Sequence, residues 1–205
     1  MSRAFKWFLA LVAIAFALSL AACTPKDMQG ASVRVVISGA HGSATHIGGN
    51  VLLTAAHVVD GKTGIEIETA DGKKYPAKVL WIAKEYDVAV LTYEGGSLPS
   101  ADISCGALKP DTPVVAYGSP GPVRFARFAG KIATSAAQYG PWALVNVMDL
   151  TVWGGMSGGG VFDVRGRLVG VTVGLFSAPG MFGPAPSGIS TMVPSSAICK
   201  MLGRG

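Results

Sequence analysis

Residues 154–163 read Gly154-Gly155-Met156-Ser157-Gly158-Gly159-Gly160-Val161-Phe162-Asp163. Glycines on both sides of a serine open backbone angles that residues with a Cβ resist, and they let another chain approach the main chain. In such a stretch the N–H groups of Gly155 and Ser157 can point at one spot and form an oxyanion hole. The bland reading is a flexible glycine linker. A linker would not run straight into Val161-Phe162-Asp163, which pairs across Arg165-Gly166 with the apolar run Leu168 to Gly174.

Gly155 to Gly159 also spells G-x-S-x-G, the nucleophile elbow of α/β-hydrolases. That fold needs a helix after the serine and places its acid and histidine later in the chain. Here a triple glycine leads into a hairpin, and the order is His57, Asp87, Ser157. This is the order of the chymotrypsin type.

Two stretches upstream supply the partners. In Leu53-Thr54-Ala55-Ala56-His57-Val58-Val59, small residues let an imidazole sit at a barrel edge facing a cleft. In Tyr86-Asp87-Val88-Ala89-Val90-Leu91, a carboxylate stands at the head of an apolar strand. It would be costly to bury there without hydrogen bonds. His41 and His46 lack the cysteine or carboxylate spacing that would join them to His57 in a metal site. They read as surface or barrel-edge histidines, and neither a metal nor another cofactor is expected.

The rest of the sequence is built for turns. Half of the 205 residues are hydrophobic, which excludes a disordered chain. Twenty-eight glycines, 12 prolines and only 14% charged residues point away from helical bundles and towards an all-β domain. The pattern predicts strands over 33–38, 42–47, 50–55, 65–69, 75–82 and 88–93, with Asp71-Gly72 as a hairpin turn. A weakly periodic linker spans 94–111. Six more strands follow over 112–118, 125–135, 143–148, 160–163, 168–175 and 190–193, and Pro194 opens a helix ending at 202. Two six-stranded antiparallel barrels, about 32–93 and 112–193, with a short C-terminal helix are the expected architecture.

Together these residues resemble the trypsin/chymotrypsin-fold serine peptidases, and within them most closely the HtrA-type (Deg) proteases. Thr54-Ala55-Ala56-His57, Tyr86 to Leu91 and Gly155 to Gly159 are similar to that family's His, Asp and Ser motifs. Supporting stretches are Asp71-Gly72-Lys73, Leu108 to Pro120, Gly130-Lys131-Ile132 and Gly188 to Pro194, so the resemblance covers roughly residues 32 to 202. It implies acyl transfer by a His57, Asp87 and Ser157 triad on protein or peptide substrates. It also implies that Thr151 stands where trypsin-like specificity would need Asp, so cleavage after Lys or Arg is not expected. Val173, Gly174 and Leu175 are expected to form the strand edge that pairs with substrate backbone. Met156 replaces the aspartate that answers a freed N-terminus in digestive proteases. HtrA-type enzymes also lack it but usually carry a PDZ domain. This sequence ends at Gly205, so PDZ gating is not implied, and neither is an oligomeric state.

The first residues read as an address. Arg3 and Lys6 precede an uncharged run, Trp7 to Leu20, shorter than the roughly 20 residues a spanning helix needs. Leu20-Ala21-Ala22-Cys23 resembles the lipobox of bacterial lipoproteins. The expectation is a signal peptide over 1–22, lipid on Cys23, a tether over 23–31, and a protease domain over 32–205. Thr24 after the cysteine implies the periplasmic face of the outer membrane. Loss of 1–22 removes two cations and no acid, so a net charge of +5 falls to +3. The basic residues are scattered among turns, which argues against nucleic acid as a partner. Cys105 and Cys199 either pair, in an oxidising compartment, or stand as separate buried thiols; their spacing does not decide. Two other functions suit the same residues: a silent protease-fold binding module at the membrane surface, and an esterase using the same triad.

Overall fold

The computed structural model describes Trp7 and residues 27–140, 142–180 and 183–204. The expected signal segment (save Trp7), Cys23 and the first residues of the tether lie outside the described residues.

The first barrel is built from β1 (Ser32–Ile37), β2 (Ala40–His46), β3 (Val51–Ala55), β4 (Glu66–Glu68), β5 (Lys74–Ala83) and β6 (Val88–Tyr93). The second uses β7 (Pro113–Gly118), β8 (Ala126–Tyr139), β9 (Trp142–Asp149), β10 (Gly160–Phe162), β11 (Leu168–Ala178) and β12 (Ala185–Pro194). Each closes on itself through antiparallel neighbours, in the orders β1-β2-β3-β6-β5-β4 and β7-β8-β9-β12-β11-β10. The two orders are the same, so the molecule is one barrel design used twice.

Period-two burial explains the closure. In β1, Val33, Val35 and Ile37 are buried while Arg34 and Val36 are partly exposed. In β6, Val88 to Leu91 are all buried, because one face lines the barrel and the other meets neighbouring structure. The main core runs through the first barrel and into the second by way of Val115, Tyr117, Phe162, Val171 and Val193. Tyr117 and Phe162 meet there edge to face at 5.6 Å. This shared core holds the barrels together and fixes the cleft between them.

The two-barrel expectation matches the structure, with local differences. The β11–β12 ribbon continues to the pairs Ser177↔Pro186 and Ala178↔Ala185, past the apolar run. Both residues of the second pair are exposed, so hydrophobic alternation no longer marks the strand there. Pro194 ends β12 with φ −70° and ψ 143°, and the C-terminal helix α2 (Ser195–Met201) begins one residue later than predicted. α1 (Ala56–Val59) was not anticipated.

The end of the expected tether is not free. Met28 is buried, and Gln29–Ala31 forms a 3-10 turn. Tyr117 Oη accepts from the Met28 N–H at 3.3 Å and donates to Asp27 Oδ1 at 3.0 Å. The linker after β6 is also strapped down. Ala101 N donates to His46 O at 2.9 Å, Leu168 N donates to Asp102 O at 2.7 Å, and Ser104 N donates to Leu168 O at 2.9 Å. Cys105 and Cys199 form a disulfide, Cα to Cα 5.7 Å, which ties this linker to α2.

Candidate active site

Asp87 follows a 3-10 turn (Lys84–Tyr86) and takes left-handed angles, φ 54° and ψ 42°. Aspartate tolerates that region better than most residues. The bend delivers the carboxylate to the foot of α1. Its Oδ1 accepts from the His57 N–H at 2.8 Å and its Oδ2 from His57 Nδ1 at 2.6 Å. The Asp87 backbone carbonyl also accepts from Ala56 N at 3.0 Å. These two side-chain bonds compensate for burying a carboxylate that is 3% exposed. An ionised carboxylate only accepts, so Nδ1 carries the proton and Nε2 is left as an acceptor. The imidazole is 47% exposed, in the cleft.

The serine loop reaches the same place from the second barrel. Ser43 N, on β2, donates to Ser157 O at 2.8 Å. A Cβ on Gly42 would stand 2.6 Å from Val58 on α1 and 3.2 Å from Ser157 O. The loop thus lies against the helix that carries His57. No hydrogen bond joins Ser157 Oγ to His57 among the described residues. Catalytic hydrogen bonds are often long in a protein without substrate.

The loop itself is a tight turn. Met156 N donates to Trp153 O at 3.0 Å, and Gly155, at the third position, has φ +97°. A type II turn requires that sign and hence glycine. Gly158 N donates to Thr172 O at 2.7 Å and Gly159 N to Met156 O at 2.9 Å. Among the described residues, the Gly155 and Ser157 N–H groups have no acceptor in the protein. The serine's own amide and that of Gly155 are thus left open together, as an oxyanion hole needs.

Ser43, Ser119 and His41, to which the sequence reading gave no part in the site, hold this loop. Ser43, fully buried, accepts from Ser119 N at 3.0 Å and donates to Gly155 O at 2.8 Å. His41 Nε2 donates to Ser119 O at 3.0 Å and packs against Gly155, where any Cβ would collide with both. The available signal was small polar residues, Ser43 and Thr45, in inward positions of a strand where aliphatics are usual. His46, at the end of β2 and so at a barrel edge, is buried, with Nδ1 2.9 Å from Pro99 O and Nε2 2.7 Å from Gly49 O. Local sequence does not show that the linker covers it.

The expected substrate strand is divided in role. β10 pairs β11 only as far as Val171, and the turn amides reach Thr172. Among the described residues, that edge of β11 has no partner strand from Val173 onward, as pairing with substrate would require. The Val173 side chain is itself buried in the core, at a register shift, so only its backbone is on offer. Gly174 is overlain by Trp142 of β9, whose ring would be 2.7 Å from an added Cβ. Leu175 is partly exposed and pairs with Ser190. Thr151 faces β12, where a Cβ on Gly188 would stand 3.8 Å from its Oγ1.

The comparisons with known proteins agree with the two-barrel fold. The profile of the trypsin-like peptidase domain matches residues 42–171, more than half of the chain. A probable periplasmic serine endoprotease, DegP-like, from Marinomonas sp. (strain MWYL1) is 29% identical over 157 residues, covering 74% of this chain and 32% of its own. Serine protease HTRA1 of Xenopus tropicalis is 28% identical over 160 residues, covering 74% and 33%. The chain therefore spans about a third of the length of these curated relatives. Among solved structures, the HtrA-type protease AlgW with a tripeptide superposes with a TM-score of 0.77 at 22% identity, over 85% of this chain and 60% of that one. The serine endoprotease from Yersinia pestis gives 0.74 at 22%, over 86% and 63%. At that identity the structures support the fold alone, and the profile match carries the family. On a two-barrel fold with this cleft, the match means that the chain belongs to the trypsin-like peptidase domain family.

Proposed function

We propose that this chain is a serine endopeptidase that cleaves peptide bonds through an acyl-enzyme. Ser157 Oγ attacks the peptide carbonyl, and His57 Nε2 takes its proton. The carbonyl oxygen becomes an oxyanion facing the N–H groups of Gly155 and Ser157. His57 then protonates the leaving amine, the acyl-enzyme forms, and water repeats the cycle. Asp87 orients the imidazole and stabilises its charged form. The observation that carries this reading is the His57 Nδ1 to Asp87 Oδ2 bond of 2.6 Å, together with a serine loop in which the Gly155 and Ser157 amides have no acceptor among the described residues. Each oxyanion donor is worth about 3 kcal/mol of transition-state stabilisation.

Cleavage follows a small or medium apolar residue, since Thr151 and Gly188 present no charge to a basic side chain. A peptide-library profile dominated by Arg or Lys at the cleaved position would reject this. The protein acts in the bacterial envelope, held by lipid on Cys23 at the periplasmic face of the outer membrane, in protein quality control. The periplasmic description of the DegP-like relatives supports the compartment. Palmitate incorporation that persists in Cys23→Ser would remove the anchor.

That no hydrogen bond joins Ser157 Oγ to His57 among the described residues favours one other reading, a silent binding module. A fluorophosphonate probe decides between them. The peptidase reading expects labelling of the wild type and none of Ser157→Ala. An unlabelled wild type supports the binder. Ester turnover without peptide turnover would make the same triad an esterase.

A further inference from the structure

Next to the serine loop lies a cavity of about 470 Å³ whose walls are Pro120, Pro122, Val123, Phe128 and Trp153, with Gly154 at its edge. Among the described residues, no charged side chain lines it. Val123 and Trp153 are 55% and 50% exposed, which is high for such residues sharing one pocket.

Its position relative to the serine follows from hydrogen bonds. On one side, Gly158 N donates to Thr172 O, which sets Ser157 beside the free edge of β11. On the other, Gly155 packs on Ser119 and His41, and Gly121 N donates to Gly154 O at 2.9 Å. The serine loop is thus bounded by β11 at one end and by the 119–123 turn at the other. A peptide lying along β11 with its carbonyl at the Gly155 and Ser157 amides leaves across Trp153 and the 120–123 turn.

We propose that this cavity selects a large apolar or aromatic residue on the leaving-group side of the scissile bond. The inference rests on the peptidase reading and adds a substrate class to it: chains with a bulky apolar side chain among the first few residues after the cleaved bond. The cavity is built in advance. Two prolines stiffen the 120–123 turn, and Val123 N donates to Pro120 O at 2.9 Å. Arg124, next in sequence, pairs with the buried carboxylate of Glu68 on β4, and Phe125 N donates to Ser119 Oγ at 3.3 Å. A rigid apolar wall loses little entropy on binding, so the contact area goes into selectivity.

The test is a cleavage profile on a mixed peptide library, read by mass spectrometry on both sides of each cut. The wild type should enrich Phe, Trp, Leu or Met after the bond over Asp or Lys by roughly tenfold. Val123→Lys places a charge at the exposed rim and should reduce that enrichment to about unity, with the preference before the bond retained. Trp153→Ala should weaken it too; should that variant misfold, Val123→Lys carries the result. A flat profile after the bond in the wild type, or an unchanged one in Val123→Lys, overturns the proposal. A second copy covering the cavity would also overturn it, as a concentration-dependent dimer that Val123→Lys dissolves. If the wild type neither cleaves peptides nor takes the fluorophosphonate probe, the peptidase reading has failed and takes this inference with it. Cleavage with no such selectivity rejects the inference alone.

Discussion

Ser43 Oγ, on a strand of the first barrel, donates to the carbonyl of Gly155, in the serine loop of the second, at 2.8 Å. The bond spans 112 positions of sequence and anchors the peptide unit next to the proposed oxyanion donor. Ser43→Ala should lower kcat by about tenfold, the worth of one buried hydrogen bond, with KM little changed. Binding of a peptide aldehyde, which forms a tetrahedral adduct, should weaken in parallel. A KM effect with unchanged kcat would make Ser43 a substrate contact instead.

Asp87→Asn should leave the fold intact and cut kcat by about 10⁴-fold. The Asn amide would donate to Nδ1, so the proton would sit on Nε2 and the base would be lost. Steady-state kinetics with circular dichroism on the same sample measures both halves; retention of most activity would show that Asp87 does not orient the base.

Gly158→Ala should destabilise the domain by about 3 kcal/mol or more. Gly158 has φ +87°, and a Cβ there would collide with Ser43 O and Thr54 Oγ1, where the barrels meet. Denaturant melts measure the loss. A change under about 0.5 kcal/mol, the range of an ordinary surface substitution, would contradict the close approach.

Breaking the Cys105–Cys199 disulfide should cost about 4–5 kcal/mol on the chain-entropy estimate for a loop of that length. Cys199→Ser should lower Tm, and added reductant should leave the variant unaffected. Equal melting of the two proteins under oxidising conditions would show that the bridge contributes nothing.

Burial raises the Tyr117 hydroxyl above its ordinary value of 10, and the Asp27 carboxylate it bonds adds to the rise. A group bound more tightly to its proton when folded stabilises fully below the unfolded value, and loses that contribution as pH rises through the folded one. The docked segment 27–31 should therefore stay protected near neutrality and loosen above pH 10. Tyr117→Phe should loosen it by about 1 kcal/mol near neutrality and remove the further loosening above pH 10. Limited proteolysis across alkaline pH reports both; protection insensitive to pH in the wild type would break the link to Tyr117.

Both barrels were legible before any coordinates because β-structure writes itself locally. Val33, Val35 and Ile37 alternate, Asp71-Gly72 turns, and glycines bracket Ser157. The residue types of the proposed site, His57, Asp87 and Ser157, were legible for the same reason: each sits in a short stretch whose composition is odd for its surroundings. Ser43, His41 and Trp142 were not. The inward small polar residues of β2 hint at Ser43, but what each of the three does lies in what it touches across the fold.

Chain order and short-range pattern were thus enough for the two-barrel plan, its main turns and the residue types of the proposed chemistry, since hydrophobic periodicity and glycine angles act over a few residues. The cleft was settled only by folding: which edge of β11 stays open, how Val173 turns inward, that Cys105 meets Cys199, and that an apolar cavity opens beside Trp153. Those features come from contacts between residues tens of positions apart, and such distances exist only once the two barrels have packed.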